Sequence, residues 1–125
     1  MAAPVSVPDV IASIRSRWSP HLVATTNDHD VKVVKIDDAF IWHAHQNTDE
    51  LFYLISGKLT MEMEEEAAQG EARAEIRNVL MKPGDMFNVP KGVRHRPVAE
   101  DAVIMVIERK IRSTQEIRWT LREQE

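Results

Sequence analysis

The sequence predicts a small all-β domain, a sandwich or barrel of about eight short strands. Two observations predict it. From residue 21 onward apolar residues recur at period two or in short runs. Clusters of Asn, Asp, Gly and Pro interrupt those runs at short intervals. A third observation bounds the size: 125 residues, 43% of them hydrophobic, supply one core and leave little room for two. Folding such a chain hides roughly two-thirds of its surface, so neither a disulfide nor a metal is needed to hold it. One domain over 1–125 is expected, with its body at about 20–110.

The elements follow in order. Residues 6–18 predict a helix: Pro8 suits the first turn, Val10, Ile11, Ile14 and Trp18 form a stripe, and Pro20 stops it. The stripe is expected to dock on the body or on a second subunit. Strands are expected over 21–26, 31–36, 40–45, 51–55, 59–63, 76–81, 86–89 and 103–108. Turns separate them at Asn27-Asp28, Asp37-Asp38, 46–49, Ser56-Gly57, Pro83-Gly84-Asp85 and Pro90-Lys91-Gly92. The acidic stretch 64–75 has no large apolar side chain and reads as a solvated extension. The tail 111–125 carries Ile117, Trp119 and Leu121 among charges, and is expected to pack on the body or a partner.

Composition narrows the function. Sixteen Lys and Arg against twenty Asp and Glu give a net charge of -4, which disfavours a phosphate-backbone groove, so no nucleic-acid partner is expected. The absence of cysteine excludes a disulfide scaffold, a thiolate metal site and a cysteine nucleophile. No apolar run approaches the roughly eighteen residues of a membrane span, and the first residues lack a signal-peptide pattern. A soluble, cytoplasmic protein is the expectation.

The chemistry concentrates at three histidines and a glutamate. His43 and His45 are two apart on an expected strand, so both rings project from one face, about 6–7 Å apart. Residues 46–49 then separate His45 from Glu50. A four-residue hairpin loop there sets His45 directly opposite Glu50 on the same side. His95, after the Pro90-Lys91-Gly92 turn, supplies a fourth candidate donor.

These residues carry a resemblance. His43-Ala44-His45, four residues, Glu50, six residues and Gly57 resemble the first motif of the cupin superfamily. The segment 84–95, with Gly84, Pro90, Gly92 and His95 in step, resembles the second. One departure is Ala99, where the second motif often has Asn; that Asn is not a ligand in the pattern. The resemblance implies a jelly-roll β-barrel of about six to eight strands. It also implies one divalent metal ion inside, held by His43, His45, Glu50 and His95. Three imidazoles and a carboxylate suit Fe, Mn, Ni, Zn or Cu, and ligand softness does not choose among them.

Parity along the expected strands assigns the surroundings. Ile41 shares a face with His43 and His45, while Phe40, Trp42 and Ala44 face the other way. Across the hairpin His43 should oppose Phe52, with Leu54 further along, so the pocket beside the ion is expected to be apolar. Met61 and Met63 extend that wall or fill the core. Arg94, with Arg77 and Arg96 as further candidates, could hold an acidic group at the mouth.

Two functional readings follow from the likeness. The first is a metal-dependent enzyme acting on an organic small molecule by isomerisation, cyclisation, decarboxylation or oxygenation, with the ion as Lewis acid. Glu50 could serve as a base, but its default role is ligand, since a ligating carboxylate is a poorer base. The second is a non-catalytic metal- or small-molecule-binding module. A homodimer is expected in either case, from the outward Phe40 and Trp42, the N-terminal helix and the Trp119 tail.

Overall fold

The computed structural model describes residues 3–65, 70 and 75–110. Among these residues one helix, α1 (Val7–Ser13), precedes six strands: β1 (His21–Thr26), β2 (His29–Ala39), β3 (Glu50–Glu65), β4 (Glu75–Met81), β5 (Met86–Val89) and β6 (His95–Arg109). They form one antiparallel sheet in the order β1-β2-β6-β3-β4, with β5 also paired to β3. The fold is jelly-roll-like, as expected, although the sheet does not close on itself. The core includes Val34, Ile36, Phe52, Leu54, Leu59, Met61, Ile104 and Val106.

The helix is shorter than its periodicity suggests. Ser6 caps it, its hydroxyl accepting from the Asp9 N–H at 3.3 Å, and Pro8 sits in the first turn. It ends at Ser13, and Ile14 turns extended. No residue of the helix proper is fully buried, though Val7, Val10 and Ile11 are half-buried. The deepest docking is in the segment after it: Ile14 and Trp18 are buried, and Trp18 stacks on Phe40 with centroids 5.0 Å apart. Lys35 pins this segment, its Nζ donating to the Ile14 carbonyl and its own carbonyl accepting from the Trp18 N–H.

Among the described residues eight expected strands become six, because 51–55 and 59–63 join in β3 and 40–45 forms no strand. Ser56-Gly57 is no turn; β3 runs straight through it with register shifts on either side. Residues 50, 52 and 54 are buried before it, and 59, 61 and 63 after it. The bulges therefore flip parity by one, which keeps both halves of β3 facing the core. Likewise β6 buries 95, 97 and 99, then 102, 104, 106 and 108, changing phase at Asp101, where φ is 42°. Asp37-Asp38 is a bulge inside β2, not a turn.

The expected strand over 40–45 does not form. His43 makes an isolated bridge to His95, and the rest of 40–49 is irregular. Strand parity therefore fails at Phe40, which is buried in the core beside Trp18 and His43 instead of facing outward. Trp42 is half-buried, with the guanidinium carbons of Arg94 and Arg96 5.8 and 5.2 Å from its ring centroid. The tail 111–125 and most of the 64–75 stretch lie outside the described residues.

Candidate metal centre

His43, His45, Glu50 and His95 converge, each offering a donor atom, and those atoms all lie within 4.8 Å of one another. The route differs from the hairpin that the spacing suggests. Glu50 pairs with Val89 on β5 and Glu108 on β6, not with His45. His43 faces His95, not Phe52: their backbones exchange N–H···O bonds of 3.0 and 2.9 Å, and their rings lie 4.4 Å apart. His45 is fixed from the turn of the second motif, where the Gly92 N–H donates to its carbonyl at 2.7 Å. Asp49 locks the same turn by accepting from the Lys91 N–H and the Asn88 amide.

The ring orientations are set by backbone carbonyls. His43 Nδ1 lies 2.9 Å from the Ile41 carbonyl, and His95 Nδ1 lies 2.9 Å from the Val93 carbonyl. A carbonyl only accepts, so each Nδ1 carries hydrogen and each Nε2 is turned to the cluster. This is how metal-ligating histidines are held. Glu50 Oε1 lies 3.0 Å from His95 Nε2 and 3.3 Å from His45 Nε2. Three imidazoles and a carboxylate, all buried, make a donor set that fits a divalent transition metal.

Electrostatics keeps the set ready for a cation. Burial pushes the His43 imidazole down to about 4, so it is neutral at pH 7. For Glu50 burial pulls upward, but the hydrogen bonds and positive charge that His45 and His95 offer in their protonated forms win, holding it below the ordinary carboxylate range. Glu108 goes the other way. Burial first, then the neighbouring charge of Glu50, raise it to about 8.

Glu108 is the residue that sequence reasoning missed. It is 3% exposed, and its Oε2 lies 4.0 Å from His45 Nε2. A signal was present: Ala102, Ile104 and Val106 alternate inward, and the same parity carries residue 108 inward as well.

The remaining candidates are placed as follows. Phe52, Leu54 and Met61 are fully buried, with the Phe52 ring edge-on to His95 at 6.1 Å. A cavity of about 590 Å³ is lined by Met63, Glu64, Arg77, Phe87, Val93 and Arg94 among others. Of the four residues expected to line a pocket, Arg94 alone borders this cavity. None of the four donor residues borders it either, although Met63 pairs directly with His95. Arg94 and Arg96 are ion-paired to Glu64 and Glu62, and Arg77 reaches Glu65 at 3.7 Å. His21 and His29 stand apart from the cluster, bonded to the Ser19 carbonyl and to Asp28.

Comparison with known proteins agrees with this fold. A family model described as the cupin domain matches residues 30–108. A cupin-2 domain containing protein from Shewanella frigidimarina NCIMB 400 is 33% identical, covering 85% of this chain and 94% of that one, with a TM-score of 0.71. The uncharacterized protein YdbB of Bacillus subtilis strain 168 is 24% identical over 66% of this chain, which spans 65% of that protein's length. Hydroquinone 1,2-dioxygenase PnpCD, in complex with Cd2+ and 4-hydroxybenzonitrile, is 18% identical with a TM-score of 0.62. That likeness covers 84% of this chain and 71% of the dioxygenase chain.

Proposed function

The chain belongs to the cupin domain family, and from that premise we propose that it is a small metal-dependent enzyme acting on an organic molecule. The observation that carries this reading is the convergence of His43, His45, Glu50 and His95 with Nε2 atoms turned inward. A bound divalent ion supplies Lewis acidity toward a substrate oxygen. The four residues hold it, and Phe52 shields the His95 side of the site from water. Metal analysis of protein purified without chelator or a nickel-leaching tag tests the reading. About one divalent ion per chain is expected, and protein that binds none overturns it.

Metal binding should stabilise the fold without being required for it, since the core is apolar and continuous. Chelated protein should still melt cooperatively, at lower temperature. At metal 100-fold above its Kd the difference amounts to about 2.7 kcal/mol. A metal-free chain with no cooperative transition contradicts this.

The ligand we favour is a largely apolar molecule, such as a phenol or enol, with an oxygen donor for the ion. Met63, Phe87 and Val93 give the neighbouring cavity apolar walls, and Arg94 and Arg77 at its rim suit one acidic group. A structural neighbour with 4-hydroxybenzonitrile bound is in keeping with that class. Thermal shift of metal-loaded protein should favour phenols and enols over sugar phosphates, because each unpaired hydroxyl against such walls costs on the order of 1–3 kcal/mol. Stabilisation by sugar phosphates alone argues against the assigned wall.

A cytoplasmic homodimer completes the proposal. Phe40 no longer supports association, being buried, but Leu22 on the β1 edge and Ile76 and Leu80 on the β4 edge are exposed. Sedimentation at micromolar concentration should show the dimer, and monomer alone counts against it.

A further inference from the structure

Next to the last residue of strand β6 stands a carboxyl that the proposed ligand set does not use. Glu108 stands directly opposite Glu50 in the β3–β6 register, and both are buried. The Glu108 carboxyl is hydrogen-bonded to Glu50, and its Oε2 lies 4.0 Å from His45 Nε2. Its other oxygen, Oε1, lies 4.0 Å from Lys32 Nζ and takes no hydrogen bond among the described residues. The backbone around it is tied to the histidine segment: the Arg109 N–H donates to Thr48 Oγ1 at 3.0 Å, and the Arg109 guanidinium to the Asn47 carbonyl at 2.9 Å.

Two carboxyls directly opposed on adjacent strands are a poor choice for stability alone. An apolar residue at position 108 would continue the inward series Ala102, Ile104 and Val106 without burying a second acid. A metal centre gives the pair a use. A ligating carboxylate needs a partner on its other face to fix the plane of its oxygens, as a ligating imidazole needs one at its second nitrogen. His43 and His95 take theirs from backbone carbonyls two residues back. Glu50 sits on a strand whose backbone groups are engaged with β5 and β6, so its partner is a side chain across the strand.

We infer that Glu108 is a positioning residue of the metal centre, acting on the ion through Glu50 by a hydrogen bond that aims the Glu50 carboxylate at the three imidazoles. The inference rests on the metal-binding reading above. It predicts that what matters at position 108 is a hydrogen-bond donor, which a glutamine amide also provides.

The test compares wild type, Glu108→Gln, Glu108→Leu and His45→Ala, with Co2+ as probe. Affinity is read by competition with a coloured chelator, site geometry by the visible absorption of bound Co2+, and the fold by the melt of metal-free protein. Glu108→Leu should bind Co2+ roughly 10–100-fold more weakly than wild type, with an altered absorption band. Its metal-free melt should be unchanged or higher, because a buried acid pair has been removed. Glu108→Gln should restore affinity and band to nearly the wild-type values. Should Glu108→Leu lack a cooperative melt, Glu108→Ala takes its place in the comparison. Equal affinity in wild type and the leucine variant overturns the inference, as does a glutamine variant no better than leucine. Wild type that binds no Co2+, or no better than His45→Ala, overturns the metal-binding reading itself.

Discussion

Protein carrying His45→Ala is expected to retain little divalent metal after dialysis, while its metal-free fold stays intact. His45 brings its Nε2 to 3.3 Å from Glu50 Oε1, inside a set whose donor atoms all lie within 4.8 Å. Removing one such donor leaves two imidazoles and a carboxylate, and opens one side of the shell. Changing a residue that only touches a ligand costs roughly 10–100-fold in affinity, so loss of a ligand itself should exceed that. The fold should tolerate the change for a separate reason. His45 lies outside the strands, and its segment is held through its backbone carbonyl, which accepts from the Gly92 N–H. That bond is indifferent to the side chain. His21→Ala, away from the cluster, is the control and should keep its metal. Full occupancy in His45→Ala would falsify the four-donor assignment.

The same residues show what the chain discloses in one dimension and what it withholds. The four converging residues were legible because each sits beside a strong local signal: the His-x-His pair, the polar 46–49 segment, and the Pro90-Lys91-Gly92 turn before His95. Their arrangement was not. A hairpin joining His45 to Glu50 is the shortest way to bring them together, yet the bonds that form are His43 with His95 and Glu50 with Glu108. Such partners are far apart along the chain, and no local pattern encodes which distant strand a residue will meet. Ser56-Gly57 failed for a different reason. Glycine marks a turn and a bulge with the same letter, and only the parity change from 54 to 59 tells them apart. Phe40 was misassigned because alternation was extended into a segment that is not a strand. Glu108, by contrast, was within reach of parity, but an acid at a strand end is ordinarily read as solvated.

Gly57→Ala should be the most destabilising single methyl that the described strands can receive. At Gly57 φ is +85°, a region that L side chains rarely adopt. A methyl built there would lie 2.3 Å from the Asp101 carbonyl oxygen and 2.5 Å from the Ala102 Cα. Both are backbone atoms, so no rotamer change relieves the overlap. The two bulges meet at this point, with Asp101 itself at φ 42° and its N–H donating to Asp37 Oδ1 at 2.8 Å. Spreading them means parting β3 from β6 where both change the phase of their buried residues. Backbone strain contributes about 1–3 kcal/mol and overpacking a similar amount, so a loss of roughly 2–6 kcal/mol is expected. That is a large part of the roughly 5–15 kcal/mol that holds an ordinary domain together. Gly84→Ala separates the two contributions, since φ there is +95° but no atom lies within 4 Å of the added methyl. It should lose about 1 kcal/mol, from the backbone alone. Urea melts of both variants measure the difference, and a Gly57→Ala protein no weaker than Gly84→Ala would show that β3 and β6 can part at the crossing without cost.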